Sequence, residues 1–314
     1  MAKPKVIAIE EHFWTPEIRD VNGVTKFVRQ PDIAQRLGDL GELRIREMDE
    51  AGIDLQVLSE TAPAAQGLEP ELAVRLARRS NDLLHEAIRS HPDRFAGFAT
   101  LPTPDPKAAA SELERAVTKL GFKGAMIMGL TRGRFLDEKQ FWPIFERAAA
   151  LDVPMYFHPS WAHPAVVEAY YKDYPALTGA ALGFTVETLT QAMRLIVSGV
   201  LDQYPSLKII LGHLGETLPF LVWRTNHTFS RFIKLPRLFS EYFRQHFWVT
   251  TSGAFQHSAL ACAIAELGAE RVIFSVDWPF QPNGEARTFM DTAPISDHDR
   301  RLIFGDNVRK LLRL

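Results

Sequence analysis

Cysteine is nearly missing from this chain. Cys262 is the only one in 314 residues, so no internal disulfide can form and a reducing compartment is indicated. Long apolar runs are missing too. No stretch approaches the about 18 apolar residues of a membrane span, and the N-terminus has no apolar centre of the secretory kind. Neither sign of charge prevails: 36 Lys and Arg stand against 38 Asp and Glu, a net charge of −2. There is no basic stripe for nucleic acid and no charged tail. Glycine-rich phosphate loops of the GxGxxG or Walker type are absent, which weighs against a doubly wound nucleotide-binding fold. The expectation is a cytoplasmic protein with no membrane or nucleic-acid partner.

What is present is ordinary globular composition, 46% hydrophobic and 24% charged. The length suffices for one large α/β barrel or two smaller domains. Eight strand-like runs, 6–10, 55–59, 96–100, 124–128, 154–158, 208–213, 247–251 and 272–277, alternate with segments of helical period. Several of the runs are apolar nearly throughout, as strands buried on both faces of a parallel sheet require. Between them, Asp105 and Pro106 open a helix whose Leu113, Ala116, Val117 and Leu120 repeat at helical spacing until Gly121 ends it. Phe141, Phe145, Ala148 and Ala149 repeat the pattern, and so do Leu83, Leu84, Ala87 and Ile88 before His91-Pro92. Ser296 can start a last helix carrying Leu302, Val308, Leu311 and Leu312. Eight strands with helices between them indicate a (β/α)8 TIM barrel over residues 1–314, a single domain with inserted loops. Stretches 21–38 and 160–183 are too long for plain connections, and the second carries Trp161, Tyr170, Tyr171 and Tyr174.

The first run ends in Glu10-Glu11-His12. Alternate side chains of an extended segment share a face, so Glu10 and His12 point together. A carboxylate beside an imidazole suits zinc, manganese or iron. In a barrel, functional groups gather at the C-terminal ends of the strands. Those ends also carry His158, His213 and Asp277. Five ionisable groups from four strands then converge on one mouth, as a metal requires of ligands distant in sequence. His85, His91, His227, His246 and His298 lie in helical segments or at the wrong end of the barrel and are read as structural or solvent-facing. His163 and His257, in loops on the functional side, are candidates for an outer layer around the site.

Glu10-x-His12, Phe157-His158-Pro159, Leu211-Gly212-His213-Leu214-Gly215-Glu216 and Phe274-Ser275-Val276-Asp277-Trp278-Pro279-Phe280 together resemble the metal-dependent amidohydrolase superfamily. Within it the chain is similar to the non-oxidative decarboxylase branch, which includes the gamma-resorcylate (2,6-dihydroxybenzoate), 2,3-dihydroxybenzoate and 5-carboxyvanillate decarboxylases. The likeness runs in order along nearly the whole chain, through Thr250-Thr251-Ser252-Gly253 to the C-terminal helix. It implies that Glu10, His12, His158 and Asp277 bind one divalent ion, zinc or manganese. It implies that His213 and Glu216, three residues apart at the start of a helix, are catalytic partners. For the proton that must reach the ring carbon, Asp277 is the best-placed donor. Arg224 matches a substrate-binding arginine of the branch. Helical rise puts it roughly 13 Å beyond Gly215, so that it either faces a neighbouring subunit or is brought back by Pro219. Binuclear relatives carry His-x-His after the first strand and a carboxylated lysine after the fourth. Here Glu10 stands first and Met126-Ile127-Met128 offers no lysine, which favours one metal.

The implied reaction is loss of carbon dioxide from an ortho-hydroxy aromatic acid of the hydroxybenzoate type. No motif for pyridoxal, thiamine or flavin accompanies it. One rival shares the ligand set, a hydrolase or hydratase of a small carboxylate or lactone with Asp277 as general base; the intact ligands argue against a second, a silent barrel that only binds or assembles. The resemblance and the aromatic-rich stretch 160–183 imply a homodimer or homotetramer.

Overall fold

The computed structural model describes residues 5–23, 28 and 30–314. Among the described residues nine short strands run parallel: β1 (Ile7–Phe13), β2 (Leu55–Glu60), β3 (Phe95–Gly97), β4 (Ala99–Thr100), β5 (Ala125–Met128), β6 (Pro154–His158), β7 (Lys208–Leu211), β8 (Phe247–Thr250) and β9 (Val272–Ile273). β1 to β3 form one ladder and β4 to β9 another, each in sequence order. The two ladders make one wall. The run expected over 96–100 is divided at Phe98, so β3 pairs with β2 and β4 with β5. The Phe98 N–H donates to the Leu58 carbonyl at 2.9 Å, and this stave turns from one neighbour to the other without leaving the wall. The other seam closes where Glu11 bridges Trp278 and the His12 N–H donates to the Trp278 carbonyl at 2.7 Å. With β3 and β4 forming one divided stave, eight parallel staves in sequence order and the helices between them make the (β/α)8 TIM barrel expected from the sequence.

The last run, expected to extend to residue 277, leaves its ladder after Ile273. Side chains take over there. Ser275 Oγ accepts the Ile9 and Glu10 N–H groups at 3.1 and 2.6 Å, and Thr251 and Ser275 exchange bonds at 2.8 and 2.9 Å. The sixth run likewise stops at Leu211, short of His213.

Alternation along the strands splits the apolar residues into two sets. Ile7, Ile9, Val57, Met126, Tyr156, Ile210 and Ile273 cluster together, filling the barrel. Ala8, Leu58, Ile127, Phe157, Leu211 and Val249 belong to the larger cluster formed with the helices. Each fully buried large apolar side chain contributes about 1.5–3 kcal/mol relative to exposure. The helix Pro106–Leu120 begins as expected. Asp105 accepts the Lys107 and Ala108 N–H groups at 3.1 and 3.0 Å, and Gly121 takes φ 75° at its end. Ser296 caps Asp297–Arg301 in the same way.

Two long stretches contain more structure than their sequences suggested. Within 21–38, Pro31–Gly38 is a helix opened by its proline, while residues 24–27 and 29 lie outside the described ones. Stretch 160–183 holds a short helix (Pro164–Val166), a π turn (Val167–Tyr171) and a 3-10 turn (Pro175–Leu177) before the helix Gly183–Val197. Tyr171 is buried there, and Tyr170 and Tyr174 are exposed.

Candidate metal centre and active site

β1 carries Glu10 and His12 to the barrel mouth with both side chains fully buried. β6 ends in His158, and the segment beyond β9 supplies Asp277. One ligand atom from each of these four residues lies within 4.8 Å of the other three. The spacings include His12 Nε2 to Asp277 Oδ1 at 3.1 Å and His158 Nε2 to Glu10 Oε1 at 3.3 Å. In Glu10, His12 and His158 the second polar atom has a partner. His12 Nδ1 meets Ser59 Oγ at 3.2 Å, and His158 Nδ1 meets the Pro159 carbonyl at 2.7 Å. That carbonyl can only accept, which fixes a proton on Nδ1 of His158 and turns Nε2 toward the cluster. Glu10 Oε2 accepts from the hydroxyls of Tyr156 and Ser252 and from Thr250 Oγ1 at 3.0 Å. The inward atoms, Glu10 Oε1, His12 Nε2, His158 Nε2 and Asp277 Oδ1, are buried and unsatisfied among the described residues. Buried polar atoms are rarely left so. Four acceptors aimed at one point fit a single divalent cation, whose ligands lie about 2.0–2.2 Å away.

Charge supports the same fit. Burial alone would disfavour ionised Glu10 and Asp277, yet the surrounding histidines more than offset it and hold both carboxyls below their usual range. Burial likewise disfavours charge on His158, but Asp277 and Glu10 push it up to about 9. The two carboxylates thus draw positive charge into the cluster, the demand a bound cation satisfies.

His213 stands beside the four ligands. Its Nε2 is 3.5 Å from Glu10 Oε1 and 3.9 Å from Asp277 Oδ2, and its Nδ1 contacts Glu216 Oε1 at 2.6 Å. Glu216 is itself fixed by Thr185 Oγ1 at 2.7 Å. Burial would lower the His213 pKa, but Glu216, Glu10 and Asp277 raise it well above the usual histidine range. The expectation that this pair opens an ordinary helix is corrected. His213, Leu214, Gly215, Glu216 and Thr217 all have positive φ, from 50° to 82°, and form a left-handed turn in which residues three apart still stack. Gly212, just before it, leaves room for Glu10, because a Cβ there would stand 2.8 Å from Glu10 Oε2.

A pocket of about 250 Å3 opens over the cluster. His158, His213 and Asp277 line its floor, and Trp161, Phe184 and Phe280 are among its walls. The Trp161 and Phe184 rings meet edge to face at 5.4 Å. Arg224 is not among the lining residues and lies exposed on the helix Leu218–Phe232. Neither outer-layer histidine faces the site. His257 Nε2 meets the Phe289 carbonyl at 3.1 Å, and the exposed His163 accepts the Ala165 N–H at 3.1 Å. Residue types alone did not single out Tyr156, Thr250 or Ser252 as the grip on Glu10. Their signal is positional, since Thr250 ends β8 and Tyr156 precedes His158 by two on the same strand face.

A family model described as amidohydrolase matches residues 7–314. A gamma-resorcylate decarboxylase of Polaromonas sp. strain JS666 is 41% identical over 321 residues, covering 98% of both chains. A solved 2,6-dihydroxybenzoate decarboxylase in complex with 2,6-dihydroxybenzoate superposes with a TM-score of 0.93 at 39% identity, over 99% of this chain and 100% of that one. A dihydroxybenzoic acid decarboxylase from Polaromonas sp. JS666, solved with manganese and the inhibitor 2-nitroresorcinol, gives 0.93 at 40%, over 99% and 98%.

Proposed function

The chain belongs to the amidohydrolase family, and from that premise we propose that it is a metal-dependent carboxy-lyase acting without oxidation on an ortho-hydroxy aromatic acid of the hydroxybenzoate type. One observation carries this reading. Four unsatisfied ligand atoms and the His213–Glu216 pair share the floor of a pocket with aromatic walls. Glu10, His12, His158 and Asp277 would hold the cation, manganese or zinc, whose charge gathers the substrate carboxylate with its neighbouring phenolic oxygen and steadies phenolate charge.

The chain's own residues supply the rest. Trp161, Phe184 and Phe280 enclose the ring and exclude water. The ring–carboxyl bond breaks, carbon dioxide leaves, and the same ring carbon takes a proton. Asp277 is the donor in this reading, with Oδ1 in the cluster and Oδ2 toward His213. Its proton comes from the substrate phenol or through His213, which Glu216 orients. Arg224 is a substrate-binding residue acting across subunits in a homodimer or homotetramer. The support is that its helix exposes Phe220 and Trp223 in the turn beside it. No helix among the described residues is long and apolar enough to cross a membrane, and the single cysteine favours the cytoplasm.

The test is a set of hydroxybenzoates incubated with protein in heavy water, with manganese or zinc supplied. Carbon dioxide and a product bearing deuterium at the vacated ring carbon are expected. Oxygen-18 from labelled water in the product, without carbon dioxide, would sink decarboxylation in favour of hydrolysis or hydration.

A further inference from the structure

Glu11 is a fully buried carboxylate that the proposed chemistry does not use. It follows Glu10 and points the opposite way. Its Oε1 accepts Ser275 Oγ–H and the Val276 N–H, both at 3.0 Å. Its Oε2 accepts the Trp278 N–H at 3.2 Å and Gln56 Nε2 at 3.4 Å. The two amides belong to the residues flanking Asp277. That aspartate sits at φ 75°, a left-handed conformation that a non-glycine residue keeps only when its surroundings impose it.

The network extends to the second ligand on β1. Gln56 Oε1 accepts Arg44 Nη1 at 3.3 Å, and Arg44 Nη2 donates to the His12 carbonyl at 2.6 Å. Arg44 is also fully buried, and its guanidinium lies 4.0 Å over the Trp278 ring. A buried acid, amide and guanidinium therefore grip the backbone on both sides of Asp277 and directly at His12. β9 has ended at Ile273, and around Asp277 the ladder gives way to separate backbone bonds, His12 N–H to the Trp278 carbonyl at 2.7 Å and Gly253 N–H to the Val276 carbonyl at 3.2 Å.

We propose that Glu11 is a positioning residue: by clamping the amides of Val276 and Trp278 it holds Asp277 in the left-handed turn that aims its carboxylate at His12 and His158, and through Gln56 and Arg44 it fixes the His12 backbone in the same frame. Groups that orient metal ligands without touching the metal commonly set affinity within about 10–100-fold. This inference rests on the metal reading above.

The experiment titrates Mn2+ into the full chain against a chelator and records the electron paramagnetic resonance spectrum of the bound ion, with thermal melting alongside. Glu11→Gln keeps size but presents an amide donor where Oε2 now accepts. It should weaken Mn2+ binding about 10–100-fold and change the zero-field splitting. Gln56→Met leaves Glu11 and Arg44 in place and removes only their bridge. It should act in the same direction, and it decides the matter if Glu11→Gln does not fold. Lowered melting with wild-type affinity and an unchanged spectrum in the folded variants would overturn the positioning role and leave the metal reading standing. A wild-type protein that takes up no Mn2+ would overturn both.

Discussion

At the scale of single residues, Asp277 has two jobs in the proposed reaction, holding the cation and delivering a proton. Asp277→Asn separates them, because an amide oxygen can still ligate weakly but the group has no acidic proton. The expected result is a rate loss of at least about a hundredfold, the scale of general-acid catalysis, with substrate binding kept better than turnover. A metal-loaded Asp277→Asn enzyme near wild-type speed in steady-state assay would move the donor role elsewhere, most directly to His213. The ligands themselves were legible because each closes a strand-like run with a metal-binding residue type. Glu11 and Arg44 were not. Nothing in Glu11-His12 or Leu43-Arg44-Ile45 distinguishes a buried charge from a solvated one, and only the fold reveals that both are fully enclosed.

Among the elements, the link between β2 and the helix Pro70–Ser90 carries a titration. Glu60 ends β2, accepts the Thr15 N–H at 2.8 Å and Ser80 Oγ–H at 2.7 Å, and is pushed by burial from 4.5 up to about 8. The folded chain therefore keeps this proton after the unfolded chain has lost it. The stability it contributes is complete below about 4.5 and is lost as pH rises through about 8. Glu60→Gln removes that dependence. At pH 9 the variant should melt a few degrees higher than wild type, with the gap closing by pH 5. Equal melting across the range in calorimetry would show that the carboxyl does not bear this load. Helix ends such as Asp105 and Gly121 were readable because capping is local chemistry. The break at Phe98 and the left-handed turn 213–217 were not, since of the five turn residues only Gly215 favours that hand. For each of the other four the left-handed conformation costs roughly 1–2 kcal/mol, a sum that competes with the net stability of a typical domain. The surrounding packing must outweigh local preference there, and packing cannot be read from the segment itself.

For the whole molecule, the exposed aromatics of the helix Leu218–Phe232 bear on assembly. Phe220, Trp223 and Phe232 are 82%, 72% and 81% exposed, with the His227 ring stacked 5.0 Å from Trp223. Sedimentation at micromolar protein should find a homodimer or homotetramer. Trp223→Glu should weaken it by roughly 2 kcal/mol or more, the scale of an interfacial hot spot. A fully active monomer would rule out Arg224 as a residue working in a neighbour's site. The barrel wall also has a weakest circumferential joint. Between β9 and β1 the described residues show a single isolated backbone bridge, with Ser275 and Glu11 filling in by side chain. Glu10 and His12 stand on one side of that joint and Asp277 on the other. A cation held by all three is therefore a clasp as well as a reagent. If the barrel breathes it opens first along this line, and a clasp present at a thousand times its dissociation constant raises the cost of that opening by about 4 kcal/mol. The lifetime of the closed ring, and not only its chemistry, would then follow the free metal concentration around it.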